Sequence, residues 1–323
     1  VRLKQLGGRL RFANLMVLGL VVVLVGMCAF LAHASPYFLT VRNLLNIGSS
    51  LSILGVTAVG LTIVMIGGGL DLTITAVMMA TAMVTAALII GGTPEWLAAL
   101  IGCGAAMAMG AGNGLLVAKA RVNPIVATLS TMSIIRGVGY IISKGAFRGL
   151  AIGIDQFALL ARSSTIPGIP NALLCWLVAC GVGAFILRFT LFGQHVFAVG
   201  DSAAACQVSG VHVDRCRLLT YVIGGLASGI AGLMLLSLST TAYAQQAAGE
   251  ELNVIAAVIL GGVGLSGGRG GVAGTMLAML ILGVMQNGMT LTGVPDYWQY
   301  IVRGLILMLA VGLDSLRSGG GYR

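Results

Sequence analysis

The sequence predicts an all-α, polytopic membrane protein of about ten transmembrane helices with both termini in the cytoplasm. Three observations carry this. Of 323 residues, 58% are hydrophobic and only 8% charged, too few charges to give a soluble chain of this length a solvated surface. Apolar runs of bilayer-crossing length follow one another with short polar breaks. With the chain threaded from the inside, twelve Lys and Arg fall on the cytoplasmic side and four outside, Arg42, Lys144, Arg148 and Arg162, as the positive-inside bias requires. The formal net charge of +9 then needs no nucleic acid to explain it. The six cysteines form no CxxC pair, and neither they nor the three histidines stand at a metal-binding spacing. The reading therefore assigns no disulfide, metal or cofactor to this chain.

The first apolar run, 12–31, follows a basic stretch with Arg2, Lys4, Arg9 and Arg11. Ala32-His33-Ala34 mimics a signal-peptidase site, but the run exceeds the about 7–15 apolar residues of a signal peptide, so it is read as an uncleaved first span. Spans two and three, 47–66 and 72–90, flank GGGLDLT at 67–73. Tandem glycines let the backbone turn sharply, and Asp71 is placed to cap the following helix. As an ionisable group at the edge of membrane segments it is also a candidate path residue.

Span four, 96–117, carries Gly102, Gly104, Gly110, Gly112 and Gly114, small residues that let helices approach closely, together with Asn113. Asn123-Pro124 opens span five, with Pro in the first turn where its missing N–H costs least. That span holds Arg136, costly near a bilayer centre at about 2.5–3.5 kcal/mol. Snorkelling or bonding to helix carbonyls accounts for it as well as contact with solute does. The segment 143–171 is too polar to cross and long enough for an external helix, and 172–187 is span six.

The long interruption 188–217 carries Arg188, His195, Asp201, Asp214, Arg215 and Arg217 and is read as a cytoplasmic loop. Within it Gly200, Asp201, Ser202, Ala203, Ala204, Ala205, Cys206, Gln207, Val208 and Gly210 describe a short helix over 201–208, with an Asp or Ser cap and a closing glycine. It is either a plain surface element or a docking helix for a soluble motor. Span seven, 218–238, has a small-residue row at Gly225, Gly229 and Gly232. Residues 239–251, with Glu250 and Glu251, are placed outside. The apolar segments 252–263 and 272–289 flank a second glycine break, and the first of them is short enough to be a half-helix. The last span is 297–313, with Trp298 and Tyr300 as interfacial anchors. Eight crossings plus re-entrant half-helices remain an alternative count.

The segments 60–73 (GLTIVMIGGGLDLT), 122–129 (VNPIVATL), 192–200 (FGQHVFAVG) and 298–304 (WQYIVRG), in this order, resemble the permeases of bacterial ribose-type sugar ABC importers. The resemblance covers about residues 44–314 and makes residues 1–323 a single transmembrane permease domain with a coupling loop at 188–217. It implies a multi-pass protein of the bacterial inner membrane, a second permease copy or paralogue, a cytoplasmic P-loop ATPase that binds ATP and Mg, and a periplasmic solute-binding protein. The family's coupling helix falls on 201–208. The family usually has Gly-Asn where this chain has Asp201-Ser202, and an Arg-rich approach where it has Leu191 and Gln194.

The chain has no GxxxxGK[ST] loop and no converging His, Asp, Glu and Ser groups, so energy would come from a partner and no catalytic residue is assigned. Asp71, Asn113, Asn123, Arg136, Gln286 and Asn287 are the candidates for the solute path, because a polyol needs hydrogen-bonding groups. A monosaccharide is the expected solute. Autoinducer-like furanosyl compounds, nucleosides and branched amino acids are alternatives within the same architecture, and an ion-coupled secondary carrier is the alternative from another class.

Overall fold

The structure, a computed structural model, describes residues 2–143, 150–153 and 157–317. Helices dominate. In chain order they are α1 (Arg2–Ala34), α2 (Val41–Ile66), α3 (Ile74–Ile90), α4 (Glu95–Ala118), α5 (Pro124–Ile142), α6 (Asn171–Phe189), α7 (Leu191–Asp201), α8 (Ala203–Val208), α9 (Val213–Ser239), α10 (Glu250–Leu260), α11 (Val272–Leu291) and α12 (Asp296–Arg317). Among the described residues seven helices are long and apolar enough to cross a membrane: α1 from Val17, α2, α4, α5, α6, α9 and α11. The apolar α3 is shorter, and α10, at 11 residues, rises only about 16 Å. It is the half-helix that the sequence allowed.

Side-chain caps set several helix starts. Asn123 Oδ1 accepts from the Ile125 N–H at 2.9 Å ahead of Pro124, Thr190 Oγ1 accepts from Gly193 N at 3.1 Å, and Ser202 Oγ accepts from Ala205 N at 3.2 Å. Each supplies an acceptor to an amide that has no partner inside its own helix.

Packing follows the glycines. In α4, Gly110 and Gly114 face α9 at Tyr221 and Leu218, while Gly225 and Gly229 of α9 face Ala106 of α4. Backbones meet there because lipid supplies no hydrophobic drive between helices and close contact must. A Cβ on Gly225 would lie 2.5 Å from the Ala106 carbonyl oxygen, whereas one on Gly112 would meet nothing within 4 Å. Gly225→Ala is therefore expected to lower stability by about 1–3 kcal/mol and Gly112→Ala to be neutral or better. Thermal unfolding in detergent checks this, and equal behaviour of the two variants would refute it.

The external helix expected over 143–171 is not formed in the described residues. Leu150–Ala151 instead makes a two-residue strand, β1, antiparallel to β2 (Thr241–Ala242), and 157–170 is a run of turns ending in Pro167, Gly168 and Pro170. Proline has no N–H to continue a helix, so the segment is tied by side chains: Asn171 Nδ2 donates to Leu159 O at 2.6 Å and Ala161 N donates to Ser237 Oγ at 3.1 Å. Lys144, Arg148 and Asp155 lie outside the described residues. Ile152, Ala242 and Ala244 pack with Met79, Met83 and Leu236, so these loops lean onto α3 and the C-terminal end of α9.

Candidate transport and coupling site

Glu250 and Glu251, expected in an outer loop, form the first turn of the short α10 and pack against neighbouring helices. Glu251 is 8% exposed. Its Oε1 pairs with Arg136 Nη2 of α5 at 3.2 Å, and its Oε2 accepts from Thr75 Oγ1 of α3 at 2.7 Å and from Gly249 N at 3.1 Å. Arg136 is thus compensated by a carboxylate 115 residues away. Glu250 pairs with Arg303 of α12 at 3.3 Å and accepts from Asn253 Nδ2 at 2.6 Å. Acidic groups in a first helical turn also meet the positive end of the helix dipole. The half-helix is therefore held at one end by two arginines from helices on either side.

Gln286 borders this end of α10. It lines a narrow cleft with Glu250, Asn253, Arg303, Met279 and Leu54, about 30 Å³ in volume, room for roughly one water rather than a sugar. Among the path candidates, Gln286 and Arg136 are the two that the structure brings to the α10 mouth. The others lie elsewhere. Asp71, 2% exposed, closes its own turn: Oδ1 accepts from Thr73 N at 2.8 Å and from Thr73 Oγ1 at 2.5 Å. Asn113 Nδ2 donates to Thr73 Oγ1 at 2.9 Å and its Oδ1 accepts from Thr131 at 2.7 Å. The result is a buried polar chain joining the first glycine turn to α4 and α5. Asn123 is the exposed cap of α5. Asn287 and Asn43 exchange two amide hydrogen bonds of 2.9 and 3.0 Å, clamping α11 to α2.

Sequence reasoning missed Glu251, Thr75, Arg303 and Asn43 as partners. A signal existed for the first: an arginine within a span needs a counter-charge, the chain holds only nine acidic residues, and two of them start an apolar segment too short for a full crossing.

The 188–217 segment is mostly helical rather than an open loop. Gly200 and Asp201 end α7, so the short helix is Ala203–Val208, with Ser202 alone as its cap. Asp201 is used up in the preceding helix. Cys206 turns inward at 7% exposure, leaving Ala204, Ala205, Gln207 and Val208 outward, with Val208 92% exposed. The outward face is thus small side chains around one projecting valine, with Ser209 and Gly210 beyond it.

A helical bundle with seven helices of membrane-crossing length among the described residues is that of a polytopic membrane protein. The chain belongs to the family described as branched-chain amino acid transport system / permease component, which matches residues 43–311. It is 36% identical over 287 residues to the ribose import permease protein RbsC of Bacillus subtilis (strain 168), covering 88% of each chain. It is 33% identical over 303 residues to RbsC of Escherichia coli (strain K12), covering 92% of this chain and 93% of that one. Against the L-arabinose ABC transporter permease protein AraH of Azospirillum brasilense it is 35% identical over 299 residues, 93% and 87% of the two chains. No solved structure matches.

Proposed function

We propose that this chain is the permease subunit of an ATP-driven, binding-protein-dependent importer of a monosaccharide, in the inner membrane of a bacterium. The observation that carries this is near end-to-end similarity to permeases named for ribose and for L-arabinose. The geometry agrees with the division of labour that such an importer needs. The sequence has no phosphate-binding loop of its own, while α8 offers a capped outward face to a partner ATPase, which would bind ATP and Mg. A second permease copy or paralogue would complete a path, and a periplasmic binding protein would deliver solute to it. The α10 mouth, with Glu250, Asn253, Gln286 and Arg303 in one cleft, supplies the dispersed hydrogen-bonding groups that a polyol in transit needs.

The test is reconstitution in liposomes with the cognate ATPase and binding protein, following labelled ribose and arabinose. Uptake should require ATP and the binding protein. Uptake driven by an ion gradient without ATP would overturn the reading in favour of a secondary carrier. In the same system Gln286→Ala should cut uptake several-fold with unchanged thermal stability, whereas Asn287→Ala should cost about 1 kcal/mol of stability by removing both bonds to Asn43, whose Nδ2 keeps only the Phe38 carbonyl. The reverse pattern would remove Gln286 from the path.

A further inference from the structure

Three segments far apart in sequence meet backbone to backbone beneath the bundle. Gly200 lies in the last turn of α7, two residues before the α8 cap. A Cβ on Gly200 would overlap the Ile66 carbonyl oxygen at the end of α2 and the Gly268 nitrogen in the second glycine break. Those two groups are themselves bonded, Gly268 N donating to Ile66 O at 2.8 Å. A Cβ on Gly267 would lie 2.8 Å from Gly68 Cα and 3.0 Å from Gly200 Cα, and one on Gly268 would lie 2.8 Å from Asp201 Cα. No side chain separates the three strands of backbone.

Side chains absorb small displacements by changing rotamer; close-packed main chain does not. We propose that this glycine contact is the joint through which movement of the α7–α8 pair reaches both interrupted helices at once, an inference that rests on the importer reading above. One turn leads into Asp71 and the buried chain to Asn113. The other closes α10, so a push delivered there travels along a rigid helix about 16 Å long to the Glu250–Glu251 turn. Gly68, Gly267 and Gly268 have φ of +79°, +87° and +73°, so glycine is required there by conformation as well as by contact. Gly200 is helical and has no such requirement. Its lack of a side chain answers to the contact alone, which makes it the position that isolates the joint.

The experiment compares Gly200→Ala with Gly112→Ala, a helical glycine with nothing within 4 Å of its would-be Cβ, in the reconstituted permease–ATPase complex. Gly200→Ala should keep the ATPase bound and hydrolysing while solute moved per ATP falls about tenfold; Gly112→Ala should keep the wild-type ratio. A purely structural role would lower yield and leave that ratio unchanged. A wild-type ratio in Gly200→Ala overturns the proposal. Independently of whether that variant accumulates, hydrogen exchange on the wild-type complex should show ATP-dependent change at 67–73 and 261–271 together with 200–208. Change at 200–208 with both glycine turns unaffected would also overturn it. A wild-type complex without ATP-dependent uptake would instead count against the importer reading itself.

Discussion

Glu251→Gln is expected to destabilise the protein by about 3 kcal/mol and to abolish uptake, because it leaves the Arg136 guanidinium in the bundle without its counter-charge. The figure is taken at the lower end of the range for broken buried pairs because the Arg136 side chain keeps 24% exposure, against 10% for Glu251. Arg136→Leu should cost a similar amount from the other side, orphaning a carboxylate that Thr75 and Gly249 alone then hold. The double variant Arg136→Leu/Glu251→Leu should regain much of the lost stability, since removing both charges removes the desolvation cost with the attraction. It should not regain transport if the pair shapes the α10 mouth. Exchanging the charges should recover less than the wild type, because an arginine in the first turn of α10 opposes the helix dipole. Unfolding temperatures in detergent, read with uptake at matched membrane amounts, decide this. Single variants as stable as wild type would show that the pair carries no weight.

Ala204→Arg is expected to insert and fold normally and yet to lose the partner ATPase. Ala204 faces outward on α8, and arginine is a good helix former, so the helix should persist. A long charged side chain on a small-residue docking face would clash and leave its charge poorly solvated, weakening association by about 100-fold or more. Val208, the most exposed apolar side chain of that face, should behave similarly as Val208→Asp. Cys206 gives the contrast. It is buried against the bundle, so Cys206→Asp should fail by misfolding rather than by failing to dock. Undiminished co-purification of the ATPase with Ala204→Arg, together with full uptake, would remove α8 from the mechanism.

Much of this protein was legible in its sequence, for reasons that are local. Composition and apolar run length set the membrane class, since every backbone polar group in a bilayer must be satisfied within its own helix. Asn123 and Ser202 mark helix starts with side chains that reach only two or three residues. The four quoted motifs were enough to indicate the family. The external helix over 143–171 was misread because length and polarity say nothing about the bonds that Asn171 and Ser237 make there. Asp201 was misplaced because it and Ser202 are equally good caps and only the continuation of α7 decides between them.

The site itself was decided by tertiary structure. Arg136 and Glu251 are 115 residues apart, Asn43 and Asn287 are 244 apart, and no periodicity in the chain links such positions. The packing of α10 against α3, α5 and α12 joins the first pair, and that of α11 against α2 the second. Gly200 shows the same division most sharply. By sequence it is one of 49 glycines, and in a helix glycine is locally unfavourable. It is explained only by the Ile66 carbonyl and the Gly268 amide that occupy the space its side chain would need, and close approach of three separate backbones is a property of the fold, not of any stretch of chain.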